Sequence, residues 1–281
     1  MDLEIGGLIA KVQERVKENM ADEWDYIEDG LLYCGKCHTK KQTRVNILGQ
    51  EHIVYCICHC ARERLEKEER ERKQKEEIDR LNRMRGMGFP DAEMREWTFD
   101  KDDRSNEKLS TVAHRYVDNF DTMKAKGKGL LLFGPVGTGK TFLAACIANA
   151  LIDKHIPCLV TNFARLINTI QGNYNNRQEE MDKLNKYTLL VIDDLAAERK
   201  TEYMDEVVYN IIDSRYRSGL PLIVTTNLTR EELQNPSDMA KQRVYSRLFE
   251  MCVPIEVTGA DRRKKKLRND YDEMSELLGL K

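Results

Sequence analysis

The sequence lacks any run of about 18 apolar residues, which excludes a membrane-spanning helix. It also lacks the basic flank and apolar stretch of a secretory signal. The start, Met1-Asp2-Leu3-Glu4-Ile5, is acidic and predicts a cytoplasmic protein. Net charge is nearly absent. The chain has 46 Lys and Arg against 48 Asp and Glu, a formal balance of −2. That excludes a globally basic nucleic-acid binder, so any DNA contact must come from local patches. No internal repeat is visible.

What is present is a chain of 281 residues, 41% of them hydrophobic. That is enough for one α/β domain of about 150–200 residues and a smaller module. Charged residues reach 33%, much of it concentrated in residues 61–86. Five of the eight cysteines fall between positions 34 and 60. In a reducing compartment such clustering points to metal before disulfide. Cys146, Cys158 and Cys252 lie in apolar segments and read as small buried hydrophobes.

Three regions are expected. Residues 1–60 form an N-terminal module. Residues 61–94 form a charged helical linker, and residues 95–281 an α/β nucleotide-binding domain. Leu8, Ile9, Val12, Val16 and Met20 fit one face of a short amphipathic helix, packed on its own module or docked on a partner. The mixed charges from Ala61 onward suit a solvated helix laced with i,i+4 pairs, with coiled-coil pairing as the alternative. Gly86-Met87-Gly88-Phe89-Pro90 should break it. Strand-like and helix-like segments then alternate, the pattern of a parallel sheet. The strands are expected at residues 129–133, 158–162, 188–192, 222–226 and 253–257.

Gly134-Pro135-Val136-Gly137-Thr138-Gly139-Lys140-Thr141 matches the phosphate-loop pattern in full, between an apolar strand and a helix-like run from Phe142. Glycines let backbone N–H groups face phosphate oxygens, and the helix adds its positive end. Lys140 is expected on the β- and γ-phosphates of ATP and Thr141 on Mg²⁺. About fifty residues later, Leu189 to Ile192 ends in Asp193 and Asp194. Two acids at the end of a buried strand are costly unless they serve a cation. Asp193 is expected to hold Mg²⁺. Asp194 stands where a general base would polarise water, although many P-loop ATPases carry the longer Glu there. Leu222 to Thr226 leads to Asn227, an amide placed to orient that water or simply to make a turn.

The set GPVGTGKT, LLVIDDLAAE, IVTTNL and Arg243-Val244-Tyr245-Ser246-Arg247-Leu248 resembles the DnaC/DnaI-type helicase loaders. These are AAA+ proteins close to the DnaA initiator. The resemblance covers residues from about 95 to 263. It implies an AAA+ P-loop fold with a five-stranded parallel sheet and no helical lid, since about two dozen residues follow the last strand. It implies Walker roles for Lys140, Thr141, Asp193 and Asp194, a sensor role for Asn227, and an arginine finger at Arg247 that reaches a neighbouring subunit of a homo-oligomer. Arg263 resembles a late sensor arginine, with Arg262 equally near. Thr98-Phe99-Asp100 resembles the family's leading segment beside the adenine. The implied activity is Mg²⁺-dependent ATP hydrolysis stimulated by assembly or DNA, in the loading of a replicative hexameric helicase onto single-stranded DNA.

Cys34-Gly35-Lys36-Cys37 is a C-x-x-C knuckle, followed by Cys56-Ile57-Cys58-His59-Cys60. Thiolates at this spacing close a tetrahedral Zn²⁺ site. Cys34, Cys37, Cys58 and Cys60 are the favoured ligands, with Cys56, His38 and His59 as substitutes. For single-stranded DNA the candidates are Asn162 to Arg165 and Gln171 to Arg177, with Phe163 equally readable as core. Two other readings fit the same residues: an IstB-type transposition helper ATPase, and a zinc-anchored adaptor for which ATP is only a structural ligand.

Overall fold

Two short antiparallel hairpins frame the cysteine pairs. Strands β1 (Tyr26–Glu28) and β2 (Leu31–Tyr33) pair with Tyr26 opposite Tyr33. They are joined by Asp29 (φ 50) and Gly30 (φ 72), the left-handed pair that matches the twist of a tight hairpin. Strands β3 (Gln42–Ile47) and β4 (Gln50–Tyr55) pair from Gln42–Tyr55 to Ile47–Gln50. This region buries little apolar surface: Leu31, Cys34 and Cys58 are buried, whereas Trp24, Ile27, Ile47 and Ile53 are exposed.

The coordinates are a computed structural model and describe residues 22–47, 49–172, 177–195, 202–236, 238–262, 271 and 274–280. The helix expected over residues 3–20, and Tyr174 and Arg263, lie outside the described residues. The chain divides into two units, Met1–Ile78 and Asp79–Lys281. Helix α1 (His59–Gly88) carries the charged stretch. Arg72 bonds Glu69 and Glu76 at 2.8 Å, while Leu65 and Ile78 stay exposed. The helix ends at Gly88, before Phe89-Pro90, and only glycine fits there because a Cβ would stand 2.4 Å from the Cys158 carbonyl oxygen. Among the described residues, no helix is long and apolar enough to cross a membrane.

The second unit continues with α2 (Glu107–Asp118), α3 (Phe120–Ala125) and β5 (Gly129–Phe133). Next come α4 (Lys140–Asp153), β6 (Cys158–Asn162), α5 (Phe163–Gly172) and α6 (Arg177–Leu184). The chain then forms β7 (Leu189–Leu195), α7 (Glu202–Ser218), β8 (Leu222–Thr226), α8 (Arg230–Gln234), α9 (Met239–Met251) and β9 (Cys252–Glu256). The five strands β5–β9 form one parallel sheet in the order β6-β7-β8-β5-β9. All five expected strands are present. β7 runs on through both acids to Leu195, and β9 starts one residue earlier than expected.

The central strands β7, β8 and β5 are covered on both faces, so they are apolar up to their carboxyl ends. Leu131, Phe133, Ile192 and Val224 pack with Phe163, Ile211 and Leu248 on one face. Leu130, Leu132, Val191 and Ile223 pack with Leu143, Ile147 and Tyr116 on the other. The alternation along β5 is the two-residue period of a strand. Cys146, Cys158 and Cys252 are buried, as expected, and burial pushes the Cys146 thiol up to about 12. Because β7, β8 and β5 are neighbours, their carboxyl ends open together, where ligands of parallel sheets collect.

Candidate functional site

The loop from Gly134 to Thr141 leaves β5 and enters α4. Gly137 (φ 78) and Gly139 (φ 94) hold left-handed backbone, and a Cβ on Gly137 would meet Asp261 Oδ1 at 1.8 Å. Only glycine meets both demands. Lys140 is buried, and its Nζ donates to the carbonyl oxygens of Gly134 at 2.8 Å and Pro135 at 2.7 Å. It also donates to Asn227 Oδ1 at 2.9 Å. The loop, with Val136, Thr138 and Phe142, lines a cleft of about 510 Å³ that also contains Asp193, Asp194 and Asn227.

The acids meet the loop directly. Thr141 Oγ1 donates to Asp193 Oδ1 at 2.7 Å. Asn227 Nδ2 donates to Asp194 Oδ1 at 2.8 Å, so one amide bridges Lys140 and Asp194. Thr225, buried on β8, donates to Asp193 Oδ1 at 2.5 Å and accepts the Asp194 N–H at 3.0 Å.

The cleft's other wall comes from the segment before α2. Trp97 and Phe142 pack with ring centroids 5.8 Å apart, and Trp97 and Glu93 line the cleft. Buried Asn149 on α4 fixes this wall: its Nδ2 donates to the Met94 and Trp97 carbonyl oxygens, each at 2.9 Å. Arg85 Nε donates to Asn149 Oδ1 at 3.3 Å.

Of the two late arginines, Arg262 lines the cleft, and Arg263 lies outside the described residues. The Arg262 N–H donates to Gly137 O at 2.9 Å. Its guanidinium bonds Ser105 Oγ at 2.9 Å and pairs with Asp103. Arg247 does not line this cleft. It lies on α9, 2.6 Å from Asp213 Oδ1 and 4.7 Å over the Tyr209 ring. Its buried Nε finds no acceptor among the described residues.

In the N-terminal unit, Sγ of Cys34, Cys37, Cys58 and Cys60 all lie within 4.8 Å of one another. A tetrahedral ion with metal–sulfur distances of about 2.3 Å needs sulfurs about 3.8 Å apart, so the set fits zinc. Thr39 bonds Cys37 at 3.1 Å and holds its thiol down to about 5, whereas bonding to Cys58 pushes Cys60 up to about 12. Cys56 stands apart, its Sγ directed to the Lys40 carbonyl oxygen at 3.3 Å. His59 Nδ1 faces Glu63 at 3.6 Å.

Of the two readings open for Phe163, the structure selects the core. Phe163 is 1% exposed in the core, because the first turn of α5 turns it under the sheet. Arg165 is exposed and pairs with Asp91 at 3.1 Å. Sequence reasoning missed Trp97, Asn149 and Thr225. Thr225 carried a signal, since a hydroxyl near the end of a fully buried strand needs a partner.

The phosphate loop, the paired acids and the polar end of β8, on a sheet of this order, define a P-loop ATP-binding protein of the AAA+ fold. The chain belongs to the IstB-like ATP binding protein family, whose model matches residues 42–270. It is 27% identical over 150 residues to the replicative helicase loader DnaI of Bacillus subtilis, covering 49% of this chain and 48% of that protein. It is 38% identical over 109 residues to a putative insertion sequence ATP-binding protein of Sinorhizobium fredii, covering 38% of this chain and 36% of that one. The matched segments thus span half or less of those relatives' lengths. A crystal structure of DnaI superposes with a TM-score of 0.53 at 27% identity, over 64% of this chain and 99% of that chain.

Proposed function

We propose that this protein is a cytoplasmic ATPase that loads a replicative hexameric helicase onto single-stranded DNA. The observation that carries the ATPase reading is the bridge from Lys140 through Asn227 to Asp194, beside the Thr141–Asp193 contact. A triphosphate would take the place of the Gly134 and Pro135 carbonyl oxygens as the partner of Lys140. The hydroxyl of Thr141 and the carboxylate of Asp193 fit Mg²⁺, which when bound neutralises charge on the β- and γ-phosphate oxygens. Asp194 takes the proton of the attacking water, and Asn227 orients that water. Trp97 and Phe142 provide an aromatic wall for the base.

Arg247 acts on the nucleotide of a neighbouring subunit, which ties hydrolysis to assembly of a homo-oligomer. Its distance from its own cleft and its unmatched Nε support that role. Cys34, Cys37, Cys58 and Cys60 hold Zn²⁺, which makes a module with little core fold. That module, with the preceding residues, grips the helicase.

The loader reading is supported by the DnaI match in sequence and structure. The family's description and the insertion-sequence relative favour a second reading, a transposition helper acting with a transposase. Co-purification with candidate replicative helicases and transposases, with and without ATP, tests both. Retention of a helicase that depends on ATP supports the loader. Retention of a transposase alone overturns it.

A further inference from the structure

Adjacent residues of a strand point to opposite faces, so a regular β7 would send only one of its two terminal acids into the cleft. Both Asp193 and Asp194 nevertheless line it. The alternation is broken by a bulge. Ile192 pairs with Val224 and Leu195 with Thr226, so β7 takes three steps where β8 takes two. Asp194 sits at the extra position with φ 60, a left-handed conformation that a non-glycine residue adopts only when its surroundings enforce it.

A bulge takes its extra residue out of the regular backbone ladder. Thr225 supplies the substitute: its Oγ1 accepts the Asp194 N–H at 3.0 Å. The same oxygen donates its proton to Asp193 Oδ1 at 2.5 Å. One hydroxyl thus fixes the backbone of one acid and the carboxylate of the other. Thr225 is 1% exposed and lies at the floor of the cleft, beneath the acid pair. Thr141, the other hydroxyl on Asp193, belongs to the phosphate loop and is shared with whatever binds there.

We infer that Thr225 is the positioning residue for the acid pair. Its hydroxyl keeps the bulge in register and so aims both Asp193 and Asp194 at the metal–nucleotide site. The inference rests on the ATPase reading above and extends it to a residue that does not itself react.

The test uses the full chain and compares Thr225→Val, equal in shape without the hydroxyl, with Thr225→Ser, which keeps it. Three quantities are measured: ATP affinity without divalent metal by calorimetry, Mn²⁺ affinity of the ATP complex by electron paramagnetic resonance, and ATP turnover. Thr225→Val should keep metal-free ATP affinity within about twofold, and lose about tenfold or more in Mn²⁺ affinity and about 100-fold in turnover. Thr225→Ser should restore both to within about threefold of wild type. A Val variant that matches wild type in Mn²⁺ affinity, or a Ser variant as impaired as Val, overturns the inference. If Thr225→Val does not fold, Thr225→Cys replaces it, filling the volume with a weak acceptor and judged by the same outcomes. Absence of turnover in the wild-type protein would overturn the ATPase reading alone, because the Mn²⁺ measurement still decides the role of Thr225.

Discussion

Lys140 Nζ and Asn227 Oδ1 lie 2.9 Å apart, which joins the phosphate-loop cation to the amide at the end of β8. The other end of that amide holds Asp194 at 2.8 Å. One amide thus ties the loop's cation to the acid of β7.

Lys140→Ala should weaken ATP binding by about tenfold or more, because a charge-assisted contact contributes about 1.5–3 kcal/mol. Asn227→Ala should leave affinity within about threefold and lower turnover by about 10²-fold, the loss seen when one transition-state hydrogen-bond donor is removed. Calorimetry and phosphate release separate the two parameters. Equal losses of both in Asn227→Ala would refute its role.

Arg247→Ala should abolish assembly-stimulated hydrolysis and leave ATP affinity unchanged. Mixing it with Lys140→Ala should recover turnover, because a Lys140→Ala subunit lends its arginine to the nucleotide held by the other. Two inactive variants that stay inactive when mixed, despite assembling, would place Arg247 in a structural role with Asp213.

Metal analysis should find one zinc per chain. Cys37→Ser and Cys58→Ser should lower zinc content sharply, and Cys56→Ser should leave it intact, since Cys56 Sγ turns to the Lys40 carbonyl oxygen. A chelator should unfold residues 22–60 and spare the ATP-binding unit, which circular dichroism and ATP titration would report. Full zinc occupancy in Cys37→Ser would sink this ligand set.

Asn149→Leu removes two donors at once and strands the Met94 and Trp97 carbonyl oxygens, at about 1–3 kcal/mol for each group left unpaired. The wall carrying Trp97 should loosen. ATP affinity should fall about tenfold and inorganic triphosphate affinity should not change, because that wall is the one proposed for the base. A matched loss for both ligands would count against it.

The legible part of this molecule was what proximity in the chain encodes. The phosphate loop is a run of eight residues with fixed spacing, and β5 to β9 are short apolar runs set off by turns. The clustered cysteines fall within one stretch as well, and the four that come together are the four the spacing favoured, with Cys56 set apart. The illegible part depends on alignment across the fold. Thr225 meets Asp193 from 32 residues away, through a bulge that no periodicity announces. Asn149 reaches Trp97 from 52 residues away, and Trp97 lies between two short 3₁₀ turns without helical or strand rhythm. Phe163 illustrates the opposite difficulty. An aromatic at the start of a helix suits an open channel or a core equally, and only its packing under the sheet decides.

The chain has two tryptophans, and they fall in different units: Trp24, 77% exposed beside the cysteine knuckle, and Trp97 against Phe142 in the cleft. Replacing Trp24 with Phe would leave one indole emitter at the place where a base would stack. The molecule then carries its own optical gauge of occupancy, readable in a cuvette without dye or label, and able to follow filling and emptying of the cleft in real time.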